Sequence, residues 1–337
     1  MAPGESSRRG CLLPPAQDAP QLAPAGWLLR PRAGRPRPGD ARAVTVAASR
    51  GALPTRLPGA GPSPPVSQLP APAKINLALV VGPRRPDGKH EVVTVYQRVD
   101  LCDRIALSPS LRLRVAGFAG DTLVTRALAL LAEEAGVEPG WSVRIDKRIP
   151  VASGLGGGSS DAASALRLAN ETLPCPLSSG ALSGLAARLG ADVPFFLAPG
   201  PQLGQGDGSA LSPLDLPQDY WVVLLIPRGA VKVATAAVYD ALDRRRGYVG
   251  FPERRRALLE ALAQARRPRD LASLPPNDLA SSPHADALRA LGAFRADVSG
   301  AGPALYGLFE ELGAARQAAA RLRRLGQTWV VAPAWYG

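Results

Sequence analysis

Residues 150–165 read Pro-Val-Ala-Ser-Gly-Leu-Gly-Gly-Gly-Ser-Ser-Asp-Ala-Ala-Ser-Ala, and this stretch constrains the chain more than any other. Gly154, Gly156, Gly157 and Gly158 let the backbone take φ > 0 and approach another group closely, which no other residue does cheaply. Ser159, Ser160 and Asp161 are good helix-capping residues, and Ala162–Leu168 is strongly helix-forming. Upstream, Trp141, Val143 and Ile145 alternate with Ser142, Arg144 and Asp146, the period of a strand. A strand, a glycine loop and a helix in that order offer unpaired N–H groups and a positive dipole end, which suit phosphate. The loop is not of the Walker type, because no lysine lies between Lys147 and Lys232. Nor is it a dinucleotide finger, since Ser159 stands where the third glycine of G-x-G-x-x-G belongs.

A chain of 337 residues can bury a large core in one large or two ordinary domains. No apolar run reaches the ~18 residues of a membrane span. Cys11, Cys102 and Cys175 fit no metal-binding spacing, and two histidines exclude a histidine-rich metal site. Of the net charge of +12, half falls in residues 1–70, where nine arginines face Glu5, Asp18 and Asp40. That segment also holds 14 of the 35 prolines and no sustained periodicity, so it is expected to be disordered, as a transit peptide or as upstream sequence from a mis-assigned start. The basic remainder suits phosphate ligands without arguing for nucleic acid.

Folding is expected to begin near Ala71. There Lys74 and Asn76 fall on one strand face, and Ile75, Leu77 and Leu79 on the other. Pro86-Asp87-Gly88 signals a turn, after which Val92, Thr94 and Tyr96 alternate with Val93, Val95 and Gln97. Asp121-Thr122 can cap a helix ending at Gly136, and a second helix runs from Ser179 to Gly190. Asp192 follows among apolar residues, where a carboxylate needs a partner or a task. Tyr220–Pro227 is a buried strand opening a second domain, in which Val298–Pro303 forms another glycine loop.

The loop P-x-x-x-G-L-G-G-G-S-S resembles the phosphate loop of the GHMP kinases, which phosphorylate galactose, homoserine, mevalonate and phosphomevalonate. Val298–Pro303 matches the third motif of that superfamily and Asn277-Asp278-Leu279 a further landmark. Lys74-x-Asn76 in Ala71–Leu77 (A-P-A-K-I-N-L), Gly88-x-His90 and Gly190–Pro194 in Leu189–Pro194 (L-G-A-D-V-P) narrow the resemblance. Together they look most like the 4-diphosphocytidyl-2-C-methyl-D-erythritol kinases of the non-mevalonate isoprenoid pathway, over residues 71–332.

The resemblance implies an α+β, two-domain GHMP-kinase fold. Residues 71–218 would form a domain like ribosomal protein S5 domain 2, and residues 219–337 a ferredoxin-like one. It implies transfer of the ATP γ-phosphoryl group to the substrate's 2-hydroxyl. Asp192 would accept the proton, with Lys74 beside it. Pro150 and Gly154, Leu155, Gly156, Gly157, Gly158, Ser159 and Ser160 would hold the ATP phosphates, with Mg²⁺ on the nucleotide and Ser160 as a ligand to it. Asn76, His90, Lys89 and Tyr239 would contact substrate, and Ser299, Gly300 and Gly302 would form the second glycine loop. Lys89 departs from the pattern, standing where tyrosine is usual, as does Thr122 where asparagine is usual.

The partners expected are ATP and the cytidyl substrate, with no nucleic acid or membrane. The protein would be a monomer or weak homodimer in the cytoplasm, or in the plastid stroma if residues 1–70 are a transit peptide. Two rivals are a homoserine- or mevalonate-type kinase, which has no use for a cytosine site, and a basic RNA-binding protein with an S5-like fold.

Overall fold

Two long strands carry the site. β1 (Ser67–Arg84) and β2 (His90–Pro109) form an antiparallel hairpin joined by the turn around Pro86-Asp87-Gly88. The computed structural model describes residues 66–119 and 123–334. Most of the leader expected to be disordered, and the expected cap Asp121-Thr122, therefore lie outside the described residues. Strand structure already begins at Ser67, ahead of the expected start at Ala71.

The far edge of β2 pairs with β4 (Trp141–Asp146) and β5 (Gln202–Gln205). β3 (Arg114–Ala116) lies parallel to β4, and β6 (Ala210–Pro213) pairs with β5, completing the first sheet. Three helices cover it: α1 (Leu123–Ala135), α2 (Gly157–Glu171) and α3 (Ser179–Leu189). α2 buries Ala162, Ala163, Ala165 and Ala169, small side chains that bring its axis close to β1 and β2. α3 starts where the hydroxyl of Ser178 accepts from the N–H of Ala181, a side-chain N-cap.

The second sheet holds β7 (Trp221–Pro227), β8 (Arg295–Val298), β9 (Leu305–Phe309) and β10 (Gly326–Val331) in the order β10-β7-β9-β8, all antiparallel. This is the ferredoxin-like order, with the strands in chain sequence lying 4-1-3-2. α4 (Thr235–Arg244), α5 (Phe251–Gln264), α6 (His284–Ala290) and α7 (Leu312–Leu322) complete this half. Ile75 and Leu77 of β1 share one core with Val222, Leu224, Leu258 and Tyr306, so the two sheets close on common apolar side chains.

The alternation expected along β1 breaks once. A bulge between Asn76 and Ala78 puts both Leu77 and Ala78 into that shared core. Leu79, expected beside Ile75 and Leu77, therefore turns to the face of Lys74 and Asn76 and lines the cavity. Among the described residues no helix is long and apolar enough to cross a membrane.

Candidate active site

A cavity of about 850 Å³ is walled by the hairpin, the glycine loop, the turn after α3 and the start of α4. Its floor is the glycine loop. Gly154 (φ 87°) and Gly156 (φ 73°) are left-handed, whereas Gly157 and Gly158 are already helical. α2 thus starts with Gly156 as its N-cap, and Ser159, Ser160 and Asp161 lie inside its first turns instead of capping it. The N–H groups of Gly157, Gly158 and Ser159 belong to that first turn and have no intrahelical acceptor. The N–H of Ser160 donates to the Gly156 carbonyl at 2.9 Å, and that of Leu155 to the Ser153 hydroxyl at 3.3 Å. Neither is open to a phosphate.

Two members of the expected phosphate set sit behind the cavity lining. Leu155 points its side chain into the core, and its carbonyl accepts from the backbone N–H of Lys74 at 2.9 Å. Ser160 is fully buried beneath the cavity lining, and its hydroxyl has no hydrogen-bond partner among the described residues; Ser159 lines the cavity. Pro150, Gly154, Gly156, Gly157 and Gly158 also line the cavity. In the second glycine loop Gly300 and Gly302 reach the cavity, while Ser299 is buried, its hydroxyl donating to the Gly154 carbonyl at 3.4 Å.

Lys74 and Asp192 meet as expected. The Lys74 Nζ lies 3.5 Å from Asp192 Oδ2 and donates to Asn76 Oδ1 at 2.7 Å. The Asn76 amide in turn donates to Thr94 Oγ1 at 2.8 Å, so Asn76 is bonded within the protein on both sides while still lining the cavity. Lys74 is buried, but the Asp192 side chain keeps 35% exposure and is the reachable half of the pair. Gly156 is required here: a Cβ on it would lie 2.9 Å from Lys74 Cγ.

Lys147, not anticipated as a site residue, also lines the cavity. It bridges two fully buried carboxylates, Asp103 at 2.5 Å and Asp161 at 2.7 Å. Burial pushes the Asp161 carboxyl up to about 7 against the opposing pull of Lys147. Asp103 also accepts from the N–H groups of Arg148 and Ile149, tying the end of β4 to β2 beneath the loop. Only the three-dimensional meeting of three elements reveals this cluster.

Around α4 the cavity is lined by His90, Lys89, Tyr239 and Asp207. The rings of His90 and Tyr239 stack at 5.0 Å with 21° between planes. Both imidazole nitrogens already face protein: Nδ1 is 2.8 Å from the Gly82 carbonyl and Nε2 is 3.3 Å from Asp243. Lys89 reaches across to Asp207 at 2.5 Å. Burial raises the Asp207 carboxyl, but hydrogen bonds from Lys89 and Ser209 outweigh it and bring it down to about 2.

Residues 122–200 match the N-terminal domain model of the GHMP kinases and residues 285–328 the C-terminal one. A 4-diphosphocytidyl-2-C-methyl-D-erythritol kinase of Geobacter sp. (strain M21) is 38% identical over 268 residues, covering 76% of this chain and 94% of the relative. One from Nocardia farcinica (strain IFM 10152) is 40% identical over 277 residues, covering 76% and 89%. The chain belongs to this kinase family. A solved 4-(cytidine 5'-diphospho)-2C-methyl-D-erythritol kinase superposes with a TM-score of 0.66 at 36% identity, covering 80% of this chain and all of that one. A homoserine kinase from Cytophaga hutchinsonii gives 0.62 at 18% identity, covering 82% and 98%, which shows the common fold alone. ATP is the phosphoryl donor of GHMP kinases, and the expected two-domain α+β fold is the one found.

Proposed function

We propose that the chain transfers the γ-phosphoryl group of ATP to the 2-hydroxyl of 4-diphosphocytidyl-2-C-methyl-D-erythritol, giving the 2-phosphate and ADP. One juxtaposition carries this reading. The lysine–carboxylate pair Lys74–Asp192 opens into the same cavity as the uncommitted N–H groups at the start of α2. Relatives of that name at 36–40% identity support the acceptor.

The N–H groups of Gly157, Gly158 and Ser159 would hold the nucleotide phosphates at the positive end of the α2 dipole. Asp192 would take the hydroxyl proton on its exposed side and orient the oxygen for in-line attack. An alcohol is far less acidic than a carboxylic acid of pKa ~4, so positioning matters more than basicity in a loose transition state where the proton leaves late. Lys74, held by Asn76, would offset charge that moves from the attacking to the leaving oxygen. Mg²⁺ would arrive on the phosphates, where Ser159 lines the cavity and the unpartnered Ser160 hydroxyl lies one residue deeper in the same helical turn. When bound, it neutralises charge on the β- and γ-phosphates. The bacterial relatives support a cytoplasmic setting.

Incubating the protein with ATP and either the cytidyl substrate or homoserine, and following ADP release, tests the reading. Release with the cytidyl substrate alone is expected. Release with homoserine alone would move the chain to a sister activity.

A further inference from the structure

Tyr96 stands on β2 directly opposite Asn76 of β1, two residues beyond Thr94 on the same face. Thr94 supports Asn76, which holds Lys74. Tyr96 supports the other member of the pair: its hydroxyl donates to Asp192 Oδ1 at 3.1 Å. The two carboxylate oxygens therefore have different partners, Tyr96 on Oδ1 and Lys74, at 3.5 Å, on Oδ2.

The tyrosine is itself fixed. It is 3% exposed, and its ring stacks on Phe195 at 4.9 Å, in the single helical turn Pro194–Phe196 just after Asp192. The Lys74 ammonium lies 5.7 Å above that ring. Room for the phenol comes from two glycines of the β5–β6 hairpin. A Cβ on Gly204 would lie 2.6 Å from Tyr96 Cε2, and one on Gly208 2.8 Å from the hydroxyl. A buried phenol needs a hydrogen-bond partner, and Asp192 is the one it has. Burial, with Asp192 beside it, holds this phenol well above the usual tyrosine range, so it stays a donor.

We infer that Tyr96 is a positioning residue for phosphoryl transfer, locking Asp192 through Oδ1 so that Oδ2 is presented to the acceptor hydroxyl. The inference rests on the proposed kinase reading. The acceptor oxygen forms its bond to the γ-phosphorus, the bond to the β-bridging oxygen breaks, and the acceptor proton passes to Oδ2. The phenol keeps its own proton throughout.

The test is Tyr96→Phe in the full chain, assayed with ATP and the cytidyl substrate varied in turn. Loss of a hydrogen bond to a charged group predicts a fall in kcat of about tenfold or more, with both KM values little changed. In an Asp192→Asn background, Tyr96→Phe should add little, because the two act as one unit. If Tyr96→Phe lowers stability, 3-fluorotyrosine at position 96, which keeps the hydroxyl and a similar shape, should retain most of the wild-type kcat. A kcat near the wild-type value, a loss that falls on KM instead, or an equal loss with and without Asp192, would overturn the inference. A wild-type protein inactive on the cytidyl substrate would instead sink the kinase reading, and that result does not depend on any Tyr96 variant.

Discussion

The Lys89 ammonium lies 2.5 Å from the Asp207 carboxylate and links the turn of the β1–β2 hairpin to that of the β5–β6 hairpin at the cavity wall. An ion pair thus occupies the place where a tyrosine would be expected. Lys89→Tyr should lower KM for the cytidyl substrate severalfold and leave KM for ATP alone, because stacking on a base contributes about 1–3 kcal/mol. With Lys89 61% exposed, the pair adds little stability of its own, so the exchange should cost little in melting temperature. Steady-state kinetics with each substrate varied in turn decides this. An unchanged cytidyl KM would place the base elsewhere.

The same pair sets a pH signature. The Asp207 carboxyl falls from 3.8 to about 2 in the folded protein, so whatever stability it adds is present above the unfolded value and is lost as pH falls through about 2. Asp207→Asn also weakens the bonds that the carboxylate accepts from the Ser209 N–H and hydroxyl, so it should melt below the wild type at pH 7, and the two curves should converge as pH is lowered toward 2. Thermal melts of both proteins across that range check it. A gap that widens on acidification would contradict the pairing.

Asp192→Asn keeps the shape and removes the charge next to Lys74. Positioned general bases contribute roughly 10²–10⁴-fold, or about 3–5 kcal/mol, so kcat should fall by that order with ATP binding little altered. Turnover near the wild-type rate would exclude Asp192 from the reaction.

Gly154 and Gly302 touch backbone to backbone. A Cβ on Gly154 would lie 2.6 Å from the Gly302 Cα, and one on Gly302 2.3 Å from the Gly154 Cα. Gly154 also carries φ 87°, so Gly154→Ala combines a clash with left-handed strain of order 1–3 kcal/mol. Gly302→Ala has the clash alone. Both should lose ATP affinity in a binding titration, and Gly154→Ala should melt at the lower temperature. Gly158→Ala, which meets nothing within 4 Å, should bind ATP nearly as the wild type does.

Short-range patterns carried much of this fold. Period-2 alternation marked β2 and β4, and Gly136 and Gly190 stopped α1 and α3 as expected. Lys74 and Asn76 share a face because they lie two apart, so that part of the site was legible. What was not legible depends on where backbones bend or meet. The bulge after Asn76 turned Leu79 toward the cavity, since an inserted residue leaves no mark in composition. Ser159 and Ser160 are alike in sequence, and only the helix phase set by Gly156 exposes one and buries the other. Pairings across long separations, such as Tyr96 with Asp192 and Lys147 with Asp103, have no local signature.

The seam between the glycine loops has a bearing on how the enzyme can be taken apart. Besides the Gly154–Gly302 contact, the N–H of Ala304 donates to the Ser153 carbonyl at 3.0 Å, so the floor of the cavity is stitched from both halves of the chain. A fragment ending before β7 would carry the glycine sequence but not the wall against which Gly154 takes its left-handed turn. Cut there, the chain should yield two pieces that bind nucleotide only when mixed, a reporter of assembly rather than a pair of independent modules.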